Sequence, residues 1–186
     1  AAITVVSGLP RSGTSMMMQM LAAGGLPVLT DGRRSADPDN PRGYYEHEAV
    51  KSLARDSSWL ANARGKAVKV VSALLVHLPD GFDYRVIFMR RPMAEVLASQ
   101  STMLDRLGHG SARGDDTRLG ELFARHLGEV DALLRTRAAI GRLDVEYHAV
   151  IAEPLRVAED VSAFLGGTLD PARMAAAVAP ELRRQR

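Results

Sequence analysis

The chain of 186 residues is 46% hydrophobic and 25% charged, with a formal net charge of +2 and a pI near 9.2, which suits one domain over residues 1–186 and excludes a bulk nucleic-acid binder. It has no cysteine, so disulfides, thiolate metal sites and cysteine nucleophiles are excluded, and a reducing cytoplasm is the expected compartment. No apolar run approaches the ~20 residues of a membrane helix, and a strand pattern directly after Ala1 is not a charged leader, so neither a span nor a cleavable leader is expected.

In chain order, the β-branched run Ile3–Val6 predicts a strand that enters Ser7-Gly8-Leu9-Pro10-Arg11-Ser12-Gly13-Thr14-Ser15 and then a Met-rich helix from Met16 to Ala23. Thr30 to Arg42 is polar and reads as a surface loop, and the Glu46–Leu60 stretch has a helical pattern. Apolar strands are expected at Val68–Val71 and Val86–Met89, and a helix is expected from Pro92 to Leu107. The glycine-rich stretch from Gly108 to Asp116 reads as a second loop. Leu119, Leu122, Phe123, Leu127, Val130 and Leu134 then mark a long helix. Leu143–Tyr147 alternates apolar with acidic residues, as a half-covered edge strand does. The terminal Arg183, Arg184 and Arg186 read as a solvated, frayed end. Strands separated by helices imply a three-layer α/β sandwich: a central parallel sheet with helices on both faces.

Gly8 and Gly13 are separated by four residues, between a strand and a helix, as in a nucleotide-binding P-loop. Such a turn gathers backbone N–H groups into a small volume, and the helix adds the positive end of its dipole. Thr14 and Ser15 supply hydroxyls, and Arg11 supplies a rigid fork of N–H donors for phosphate or sulfate oxygens. A kinase or ATPase loop would carry Lys where Thr14 stands. The strand at Val86–Met89 ends in Arg90-Arg91 rather than in a magnesium-holding Asp. The fold expected is P-loop NTPase-like, and the site suits an anion without a metal.

Pro10-Arg11-Ser12-Gly13-Thr14-Ser15 resembles the 5′-phosphosulfate loop of sulfotransferases that use 3′-phosphoadenosine-5′-phosphosulfate (PAPS). Val86-Ile87-Phe88-Met89-Arg90-Arg91-Pro92, followed by Glu95-Val96-Leu97-Ala98-Ser99, is similar to that family's 3′-phosphate motif, with Ser99 eight positions after Arg91. Arg90 is a near alternative. Pro92 at the first helical position would make a second helix-start anion site, and Ser99 lies about 12 Å further along that helix. Segments around Asn40–Glu46, Lys66–Val71, Val145–Tyr147, Glu153-Pro154 and Phe164–Gly166 carry the likeness over most of the chain. The resemblance implies a PAPS-dependent sulfotransferase with no metal. Its implied cofactor-binding residues are Arg11, Ser12, Gly13, Thr14, Ser15, Arg91, Ser99 and Tyr147, the last near the adenine.

Sulfuryl transfer requires positioning, stabilisation of the leaving phosphate and a base for the acceptor hydroxyl. Arg11 is assigned to the leaving charge, with the N–H groups from Ser12 to Ser15. Lys69 either supports the leaving oxygens or reaches solvent. The family's cytosolic members place a histidine shortly after that lysine, whereas this chain reads Lys69-Val70-Val71-Ser72. Glu46 is the best-placed alternative base, weighed against a carboxylate favoured at a helix start. His47, Glu48 and His77 are further candidates. His126 reads as a hydrogen-bonded core histidine, and His109 and His148 stand alone. Trp59 reads as a packing anchor, and Asp115-Asp116 as a solvated loop. Met16, Met17, Met18 and Met20 read as core, with one or two able to line an apolar acceptor pocket. The expected partner is a small-molecule acceptor. The methionines suggest a lipophilic alcohol or phenol, and Arg33, Arg34 and Arg42 an anionic compound. A P-loop nucleotide kinase or NTPase and a non-catalytic nucleotide-binding module are the competing readings.

Overall fold

The computed structural model describes residues 1–32, 43–106 and 116–178. Four strands, β1 (Ile3–Gly8), β2 (Ala67–Lys69), β3 (Tyr84–Arg90) and β4 (Ile140–Glu146), form a parallel sheet in the order β2-β1-β3-β4. Val5 lies opposite Val68 on one side and Val86 on the other, and Met89 lies opposite Val145. Every residue of β1 is buried, because a central parallel strand is covered on both faces and takes a continuous apolar run. β4 sits at the edge and exposes Asp144 and Glu146 on either side of buried Val145, as its alternating pattern predicts.

Alternation along the strands divides the core in two. Val6, Ile87 and Met89 face α1 (Thr14–Ala23), α5 (Pro154–Phe164) and α6 (Pro171–Ala176). Met17, Met18 and Met20 are fully buried in that layer, each contributing about 2 kcal/mol of apolar burial. Val5, Val86 and Phe88 face the other way, toward α3 (Asp116–Thr136) and three 3-10 turns at Glu48–Ser52, Ser58–Ala63 and Ser72–His77. The chain leaves β1 through α1 on one face and leaves β3 through α2 (Met93–Arg106) to α3 on the other. The crevice beyond the carboxyl ends of β1 and β3 is therefore the topological switch point, where open α/β sheets bind their ligands.

Three local differences have physical causes. Glu46–Leu60 is two 3-10 turns rather than one helix, because Asp31 accepts the N–H of Glu48 at 2.6 Å and Asp56 accepts that of Ser58 at 2.9 Å, so side-chain acceptors compete with the helical ladder. The Ser58 hydrogen bonds also hold the exposed Asp56 carboxyl below its ordinary range. β2 stops at Lys69, and Val71, 45% exposed, leads into the third turn. Tyr147 opens α4 (Tyr147–Ala152) instead of ending β4. Arg33, Arg34, Asn40, Pro41, Arg42, Leu107, His109, Asp115, Arg183, Arg184, Arg186 and the side chains of Leu104 and Asp116 lie outside the described residues.

Candidate active site

The loop between β1 and α1 lies closer to the sheet than any side chain would allow. A Cβ on Gly8 would meet Ser12 Oγ and come within 2.8 Å of the Met89 carbonyl. Arg11 has φ +65° and Gly13 has φ +95°, left-handed conformations of the kind that tight anion-binding turns use. The left-handed turn at Arg11 costs about 1 kcal/mol, strain of the kind found at ligand sites. Ser12 is 1% exposed, and both its Oγ (2.7 Å) and its N–H (3.3 Å) donate to the Leu9 carbonyl. Ser12 therefore frames the loop from behind. The start of α1 leaves the N–H groups of Thr14, Ser15 and Met16 without intrahelical acceptors, at the positive end of the helix dipole.

The second cradle joins the first directly. Arg11 Nε donates to Ser99 Oγ at 2.9 Å, and Arg91 Nη1 donates to the Arg11 carbonyl at 3.0 Å. Ser99, eight residues along the chain from Arg91, is thus placed against the phosphate loop by α2, which starts immediately beyond the end of β3. Pro92 takes the cap position, its carbonyl accepting from Glu95 and Val96 at 3.0 and 3.1 Å. Arg90 points elsewhere: it bonds Asp131, and Asp144 at 3.1 Å, while Arg142 bonds both carboxylates at 2.8 Å. Burial opposes the charge of Asp131, but the hydrogen bonds and charges of Arg90 and Arg142 outweigh it and hold that carboxyl below its usual range. Tyr147 lies between the cradles, its ring 4.3 Å below the Arg91 guanidinium. The same ring stands 2.7 Å from where a Cβ on Gly13 would be, so only glycine fits there.

Lys69 does not reach solvent. Its side chain is 10% exposed, and Nζ donates to the Tyr44 carbonyl at 2.9 Å, to Ser15 Oγ at 3.2 Å and to Glu46 Oε1 at 3.3 Å. A cation and a carboxylate therefore meet beside the first turn of α1. Of the four proposed bases, only Glu46 joins this cluster. The His47 ring stacks on Trp59 at 5.7 Å. Glu48 is exposed and pairs with Lys51. His77 is exposed at the end of the turn that returns toward the start of β3.

Three further connections involve residues outside the two cradles. His148 Nε2 donates to Glu95 Oε1 at 2.7 Å, and Arg91 Nε donates to Glu95 Oε2 at 3.0 Å; the His148 bond, then that from Arg91, holds the Glu95 carboxyl below its ordinary range. The i,i+4 spacing of Arg91 and Glu95 on one helix face is the only one of these signals present in the chain order. His126 is half-buried rather than fully in the core, with Nε2 2.8 Å from Ser72 Oγ.

No protein-family model matches the chain, and no curated protein sequence matches it. Solved structures do. The sulfotransferase domain of the olefin synthase of Synechococcus PCC 7002 superposes with a TM-score of 0.57 at 17% identity, covering 100% of this chain and 83% of that one. A sulfotransferase from Mycobacterium tuberculosis H37Rv gives a TM-score of 0.60 at 17% identity, over 97% of this chain and 71% of the other. The sulfotransferase domain of the curacin biosynthetic pathway gives 0.52 at 14% identity, over 96% and 83%. A parallel four-stranded sheet with helices around it is thus the fold this chain has in common with these sulfotransferase domains.

Proposed function

We propose that the chain is a sulfotransferase that takes a sulfuryl group from PAPS and gives it to a hydroxyl, or an amine, of a small-molecule acceptor. One observation carries the reading: Arg11 and Arg91 are bonded into a single unit, with Ser99 on Arg11 and the Arg11 carbonyl on Arg91. Two cationic cradles so joined suit a nucleotide phosphorylated on both sides of one ribose, which ATP is not. The residues present fit that ligand. The turn from Arg11 to Gly13 and the first N–H groups of α1 would take the 5′ phosphate, and Arg91 with Ser99 the 3′ phosphate. Ser12 would act through the turn it frames, and Tyr147 through its contacts with Gly13 and Arg91.

PAPS, when bound, supplies a sulfuryl group activated by its anhydride bond to the 5′ phosphate. Lys69 Nζ, fixed by Ser15 and Tyr44, would hold positive charge where the leaving phosphate oxygen gains negative charge. Glu46 would release its contact with Lys69 and accept the acceptor's proton at a carboxylate oxygen. The methionines of α1 are buried in the core, Met16 included at 7% exposure.

Thermal melts with adenosine 3′,5′-bisphosphate, adenosine 5′-phosphate and ATP–magnesium test the reading. A ligand that binds only the folded state at 100 times its Kd stabilises it by about 2.7 kcal/mol, or roughly 5–10 °C for a chain of this size. The bisphosphate is expected to give the largest rise. Stabilisation by ATP–magnesium alone would assign the chain to the nucleotide kinases and NTPases instead.

A further inference from the structure

The 3′ side of the site contains an ionisable chain that sulfuryl transfer itself does not use. Arg91 is held at three places: Nε by Glu95, Nη1 by the Arg11 carbonyl and one face by the Tyr147 ring. Among the described residues Nη2 has no partner, so it is the nitrogen left for an anion. Glu95 is held in turn by His148, which comes from α4. We propose that Glu95 and His148 are positioning residues that aim Arg91 at the 3′ phosphate, and that recognition of this phosphate weakens when His148 loses its proton. The proposal rests on the nucleotide reading above.

The sign follows from the charges. A protonated His148 neutralises Glu95 and adds positive charge beside the phosphate. A neutral His148 leaves the whole carboxylate charge to compete with the phosphate for Arg91. Glu95 from α2 is the one charged group bonded to the His148 ring among the described residues. Tyr147 on α4 meets that ring edge-on at 5.5 Å, and no side chain of β4 or α5 bonds to it. The His148 side chain is 56% exposed and that of Glu95 37%, which keeps the expected effect small, about threefold in affinity.

Calorimetry measures the two dissociation constants, for adenosine 5′-phosphate and for adenosine 3′,5′-bisphosphate, whose ratio isolates the 3′ phosphate. The ratio is compared at about pH 6 and pH 8, the range in which histidine changes charge, in the wild type, His148→Gln and Glu95→Gln. The ligand's own ionisation is common to all three proteins and cancels between them. Preference for the bisphosphate is expected to fall about threefold more in the wild type than in His148→Gln, which keeps a donor to Glu95 but has no proton to lose. Glu95→Gln should flatten the profile in the same way, and if that variant does not fold, His148→Gln decides alone. Parallel pH profiles in the wild type and His148→Gln would overturn the relay and leave the nucleotide reading standing. A wild type that does not prefer the bisphosphate at either pH would remove that reading and the relay with it.

Discussion

Gly13→Ala tests whether the two cradles share one packed wall. The substitution has two separable costs. Gly13 has φ +95°, and a residue with a Cβ in the left-handed region costs about 1 kcal/mol. The new methyl would also stand 2.7 Å from Tyr147 Cδ2 and 3.3 Å from Cε2. The ring cannot simply turn away, because the Arg91 guanidinium lies 4.3 Å above it, and overpacking of this kind adds about 1–3 kcal/mol. The total is about 2–4 kcal/mol. Gly25, just beyond the other end of the same helix, is the matched control. Its φ is +99° and nothing lies within 4 Å of the added methyl, so Gly25→Ala should cost only the conformational part, about 1 kcal/mol. Urea denaturation of both variants measures the difference. Because Tyr147 supports Arg91, Gly13→Ala should also weaken adenosine 3′,5′-bisphosphate binding, by more than the tenfold that about 1.4 kcal/mol represents, whereas Gly25→Ala should leave it unchanged. Equal destabilisation by the two alanines would refute the steric argument and detach Tyr147 from the phosphate loop.

Glu46→Gln should leave bisphosphate affinity within about twofold while lowering sulfuryl transfer to a phenol or alcohol about 10²–10⁴-fold, the usual effect of a positioned base. Unchanged turnover would pass proton acceptance to another group, with His126 beside Ser72 the next to be substituted. Tyr84 is 1% exposed, and burial pushes its hydroxyl up to about 12 from the usual 10.0. A folded-state value above the unfolded one stabilises fully below about pH 10 and is lost as pH rises through about 12. Urea titrations at pH 9 and 11.5 should therefore show about 2 kcal/mol more alkaline loss in the wild type than in Tyr84→Phe. The phenylalanine variant should start lower at pH 9 by about 1 kcal/mol, having lost the hydrogen bond to the Pro79 carbonyl.

The chain order alone determines the central strand and the glycine-rich loop after it, because both are local. Ile3–Val6 is apolar without interruption, as a strand covered on two faces must be, and Gly8 and Gly13 stand where the backbone has no room for a side chain. Arg91 after β3 is local too. Ser99 was identifiable only through the resemblance, since its approach to Arg11 joins residues 88 positions apart. Only tertiary structure gives Arg90 its acidic partners, from α3 and β4, and brings Arg91 to the Arg11 carbonyl. Likewise, only folding turned Lys69 inward onto Ser15 and Glu46. His148 looked isolated in the sequence because its partner lies 53 positions away, and a hydrogen bond between distant segments leaves no periodic mark on either. Local propensity built the elements of this site, and the packing of separate elements at the switch point chose which charges face one another.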